Sequence, residues 1–128
     1  MAVPADIRNR LASFACSRRT RQVEFSAASP HRWQPTQTTN PRTQQVFTED
    51  AAWEFVAEAI EGGAPIEEMA LDKPPGKTGY VLKLPGSNGS TIYVKLQLLG
   101  NCVRGRSFHP SDEAERDEGL INVGNANA

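Results

Sequence analysis

The chain has 128 residues, 14 Lys and Arg against 15 Asp and Glu, and a formal net charge of −1. A 38% hydrophobic and 23% charged composition suits one domain with a modest core and excludes a membrane-spanning bundle. Two cysteines, Cys16 and Cys102, and two histidines, His31 and His109, make neither a disulfide framework nor a metal-ligand cluster, so reduced thiols in a cytoplasmic protein are expected.

The near-zero net charge hides segregation. Residues 1–46 carry seven Arg against Asp6 and Glu24, and residues 47–73 carry eight acids against Lys73. Residues 74–109 carry Lys77, Lys83, Lys95, Arg104 and Arg106 with no acid, while the tail from Pro110 has five acids against Arg116. Blocks this clean assign separate jobs to separate segments.

Residues 1–46 hold a short helical pattern over Asp6–Phe14 and otherwise Ser, Thr, Gln, Pro and Arg, as in "SAASPHRWQPTQTTNPRTQQ". So little apolar surface does not offset ordering entropy, and a disordered or loosely ordered basic arm is expected. The same composition also fits a nucleic-acid-binding arm or a targeting segment.

At "FTEDAAWEFVAEAIEGG" the pattern becomes helical. Thr48 is a good N-cap, Glu49 and Asp50 suit the positive end of the helix dipole, and Trp53, Val56, Ala57 and Ile60 form one apolar stripe. Gly62 and Gly63 end the helix. "APIEEMALDKPPG" reads as a second short helical or irregular segment.

Three strands follow, over Gly79–Leu84, Thr91–Leu99 and Cys102–His109, the last two joined at Gly100–Asn101. Pro110 stops the third, and the acidic remainder, 111–128, reads as a flexible tail. The expected fold is α+β: an N-terminal amphipathic helix packed on a small antiparallel sheet of three or more strands, with the folded unit at 47–110.

Side chains alternate faces along a strand. Ile92, Val94, Leu96 and Leu98 then meet the helix, and Tyr93, Lys95 and Gln97 face away. With Gly100–Asn101 as the whole turn, Gln97 pairs with Arg104, Lys95 with Arg106 and Tyr93 with Phe108. A five-residue loop at 85–89 sets Val81 opposite Tyr93 and Lys83 opposite Thr91. One face then gathers Lys83, Lys95, Arg104 and Arg106 around Tyr93 and Gln97, as phosphate binding with base stacking requires. A strict pleat sends His109 to the core side, from which a bulge or the strand end would return it.

These residues carry a resemblance. Ile92–Tyr93–Val94–Lys95 and the closing Ser107–Phe108–His109 resemble the C-terminal hairpin of MqsR-type toxins of bacterial toxin–antitoxin systems, small proteins of RelE/barnase-like fold. The likeness runs over residues 46–110. It implies a RelE-like fold and a metal-independent endoribonuclease, an mRNA interferase with no cofactor that cleaves RNA by 2′-hydroxyl attack. It also implies a cognate antitoxin partner with a DNA-binding domain. By position Tyr93 and Lys95 match the active-site strand, and His109 stands where the family can have Lys.

The chemistry asks for a base, an acid for the leaving 5′-oxygen and a cationic clamp on the phosphate. Tyr93, Lys95 and His109 are the candidate catalytic residues, and Lys83, Gln97, Arg104 and Arg106 the candidate substrate-binding residues. The alternative is a non-catalytic RNA-binding or protein-interaction module using the same face. "GKT" at Gly76–Thr78 lacks the glycine and the helix of a phosphate-binding loop and is set aside.

Overall fold

A computed structural model of the chain describes residues 3–23, 32–71 and 76–111. Helix α1 spans Ala5–Ala15 and α2 Glu49–Glu61; the strands are β1 Arg21–Val23, β2 Arg32–Trp33, β3 Glu67–Ala70, β4 Thr78–Pro85, β5 Thr91–Leu98 and β6 Val103–Ser111.

Helix α2 forms for the reasons its sequence gives. The Thr48 hydroxyl accepts from the Ala51 amide at 3.1 Å, and Glu49 and Asp50 occupy the first turn. Ala52, Trp53, Phe55, Val56, Ala57 and Ile60 are buried. Its last turn carries no basic residue of its own. Arg8 of α1 supplies one instead, donating to the Ile60 and Ala64 carbonyls at 2.7 and 2.8 Å. This satisfies acceptors that the helix end leaves open and complements its dipole.

Over its described residues, the segment expected as a loose arm is part of the fold. Leu11, Ala12 and Ala15 of α1 are buried, Trp33 is 6% exposed, and both helices share one apolar cluster with the sheet. Composition missed this because α1 packs mostly small residues and because β1 and β2 are held by backbone pairing. Strands of three and two residues carry no readable periodicity. Strand β6 runs through Pro110 to Ser111, past the stop expected at Pro110, because it is paired there with Ile92 and Thr91 of β5. The rest of the acidic tail, 112–128, lies outside the described residues.

The strand order is β1-β6-β5-β4-β3, with β2 also pairing β6. β1 and β2 run parallel to β6 and the other pairs are antiparallel, so the sheet is mixed and not wholly antiparallel as expected. β3 replaces the expected helical or irregular segment. All four of its residues are exposed, so it bears no apolar alternation to read.

The helix-side face carries Leu82, Leu84, Ile92, Val94, Leu96, Val103 and Phe108, none more than 2% exposed. Burial of this size is the main source of the fold's stability. Trp33 lies between Trp53 and Phe108, with ring centroids 4.7 and 5.3 Å away. Its ring also covers Gly105, where a Cβ would come within 2.6 Å of the indole. Gly105 is therefore a close-approach glycine.

The register sets the other face. Gln97 pairs with Arg104 as expected, but between Lys95 and Leu96 the β5–β6 ladder shifts by one residue. Leu96 pairs with Gly105 and Lys95 with Ser107, so Arg106 is the extra residue of a β-bulge. Beyond it Phe108 pairs with Val94 and His109 with Tyr93, in place of the expected Lys95–Arg106 and Tyr93–Phe108. Across β4, Val81 pairs with Lys95 and Lys83 with Tyr93. Each lies two residues from its expected partner, so the faces stay as expected.

Candidate functional site: the open face of the sheet

The structure brings all seven sequence-derived candidates onto the face turned away from the helices. Lys83, Tyr93 and His109 form one cross-strand row through β4, β5 and β6. Lys95 pairs with Ser107 in the next row, and Gln97 with Arg104 in the third. Arg106 joins them from the bulge, its Nη1 donating to Gln97 Oε1 at 3.0 Å. Rows two residues apart on a strand are separated by about 6.7 Å, so the rows span about 13 Å.

Without the bulge, the alternation that buries Val103 and Gly105 would bury Ser107 and His109 too and turn Phe108 outward. The inserted residue reverses all three. Phe108 is 0% exposed in the core, and the His109 ring stacks on Tyr93 with centroids 5.4 Å apart and planes 24° apart. His109 Nδ1 lies 2.9 Å from the Pro110 carbonyl oxygen. A proton on Nδ1 satisfies that acceptor and places the ring's lone pair on Nε2, in a residue that is 8% exposed.

The charge blocks resolve in space. Arg18 and Arg21 pair with Asp50, the latter at 2.7 Å, and Arg42 pairs with Glu58. Arg18 beside Asp50 holds that carboxyl below its ordinary range. Basic segment thus meets acidic segment on the helix side. Lys83 and Arg104, from the acid-free block, make no ion pair among the described residues. The open face is not wholly polar: Val81 and Leu71 are buried outside the main apolar cluster, and Leu71 lies over Gly79.

Sequence reasoning missed two members of this face. Ser107 is 5% exposed beside Lys95, on the side opposite to the one a strict pleat would give it. Gln22 of β1 sits in register with Arg104. The readable signal for Ser107 was Gly105, since a glycine inside a strand often marks a bulge. The short parallel strand β1 gave no signal for Gln22.

A cleft of about 540 Å³ lies elsewhere, lined by Arg21, Val23, Trp33, Glu49, Asp50 and Trp53 among others. Its chemistry is explained by packing. The Glu49 carboxylate accepts from Trp33 Nε1 at 3.0 Å and Trp53 Nε1 at 2.9 Å, satisfying two buried indole donors. Among the described residues no three His, Cys, Asp or Glu gather as a metal cradle, and no helix is long and apolar enough to cross a membrane. No family model, curated protein or solved structure matches the chain.

Proposed function

We propose that the open face binds single-stranded RNA and cleaves it, with the 2′-hydroxyl attacking the adjacent phosphate. The observation that carries this is the bulge at Arg106, which turns His109 from the core to the cationic face and stacks it on Tyr93. Imidazole is the side chain whose ordinary titration lies nearest neutral pH, and it suits proton transfer in either direction.

In the step itself a base takes the 2′-hydroxyl proton as O2′ bonds to phosphorus. The bond to O5′ breaks, and an acid protonates the departing O5′. The products are a 2′,3′-cyclic phosphate and a 5′-hydroxyl. His109 serves one proton transfer and Lys95 or Tyr93 the other. Arg104, Arg106 and Lys83 hold the phosphate oxygens as their charge develops, a task suited to guanidinium geometry.

The resemblance of Ile92–Tyr93–Val94–Lys95 and Ser107–Phe108–His109 to MqsR-type toxins of RelE/barnase-like fold supports the same reading. It adds metal independence and a cognate antitoxin with a DNA-binding domain, and reduced thiols at Cys16 and Cys102 suit a cytoplasmic setting. A partner of acidic or mixed charge complements the basic face, with binding that weakens as salt rises.

Purified protein incubated with single-stranded RNA in EDTA is the test. The expected result is fragments ending in 2′,3′-cyclic phosphate, with His109→Gln slower by roughly 100-fold or more. RNA that is bound but left intact overturns cleavage in favour of a non-catalytic RNA-binding module. RNA neither bound nor cut removes nucleic acid from this face.

A further inference from the structure

We infer that Gln97 is a positioning residue that aims the guanidinium of Arg106 at the RNA backbone, an inference that rests on the RNA-binding reading above. Gln97 lies on the open face yet is only 4% exposed. Its neighbours across the ladder are Gly79, with Leu71 over it, and Arg104. A polar side chain enclosed in this way needs a partner, and Arg106 Nη1 is one, at 3.0 Å from Gln97 Oε1. Arginine has only donors, so the amide must turn its oxygen to Arg106, and chemistry fixes its orientation.

The pairing has a functional consequence. Arg106 is the bulge residue, outside the cross-strand rows that align the other cations. Its long side chain takes part of its direction from this hydrogen bond. A carboxylate in place of Gln97 would hold the guanidinium as well but neutralise it. A neutral acceptor orients the cation without drawing on its charge.

The experiment uses the full chain and an RNA 2′-O-methylated throughout, which removes the nucleophile and leaves binding alone to be measured across a salt series. Arg106→Ala is expected to make the slope of log K against log salt shallower by about 0.7, one phosphate contact on a single strand. Gln97→Met keeps the volume and removes no charge, yet the same loss of about 0.7 is expected, with affinity down roughly tenfold. Added to Arg106→Ala, it should change nothing further. A merely structural role for a neutral residue leaves the slope untouched. Should the Met variant fail to fold, Gln97→Asn, too short to reach Arg106, is expected to lose the same slope. An unchanged slope in the Gln97 variant beside a reduced one in Arg106→Ala overturns the positioning role. Unchanged binding in Arg106→Ala itself overturns the RNA contact, and the inference with it.

Discussion

Strands β4, β5 and β6 present two surfaces one residue out of step. Leu82, Val94 and Phe108 are sealed beneath the helices, each 0% exposed, while their sequence neighbours Lys83, Lys95 and His109 face the other way. Period-two alternation thus lets one ladder serve stability on one side and chemistry on the other through separate sets of residues. The two sets meet at one point. The bulge at Arg106 decides for both faces at once, because it turns Phe108 inward and Ser107 and His109 outward.

Deleting Arg106 should therefore have the largest effect. A straightened ladder drives Phe108 to solvent and His109 to the core, and the expected result is loss of cooperative thermal unfolding together with RNA cleavage. A stably folded, active deletion variant would mean the bulge does not set the faces.

Phe108→Ala comes next. Emptying a fully buried aromatic site should cost roughly 3–5 kcal/mol in urea unfolding, and a change within error of zero would remove Phe108 from the core. Lys95→Ala gives the contrast across the sheet. It faces Ser107 and not Arg106, so no like-charge pair is relieved. Its stability should stay within about 0.5 kcal/mol of wild type. RNA cleavage should nevertheless fall at least about 100-fold. Normal cleavage by this variant would take Lys95 out of the site.

The smallest effect belongs to Tyr80 on the helix side. Burial, then the charge of Glu68, raises its phenol above the ordinary 10.0. A folded state that holds this proton more tightly than the unfolded chain gains stability that is present below pH 10 and lost as pH rises beyond it. Tyr80→Phe should flatten the fall in melting temperature above about pH 10. An unchanged alkaline limb would show that Tyr80 does not contribute to it.

The comparison also explains what the sequence could reveal. Helix α2 was legible because Thr48, Glu49, Asp50 and the Trp53–Ile60 stripe agree with one another. Lys83 and Lys95 were legible because alternation holds through β4 and β5, and Arg104 because it lies before the bulge. A strict pleat alone misplaces Ser107 and His109, because one inserted residue reverses parity and no residue type enforces a bulge. Gly105 was the cue. β1 and β2 were illegible for another reason. They are held by parallel backbone pairing to β6 and by Trp33 over Gly105, contacts that local periodicity does not encode.

The most direct measurement of the central claim is backbone amide NMR of the isotopically labelled chain titrated with the 2′-O-methylated RNA. The account predicts shifts concentrated at Lys83, Tyr93, Lys95, Gln97, Arg104, Arg106 and His109, fading as salt is raised. Shifts confined to the cleft of Trp33 and Trp53, or none at all, would contradict it.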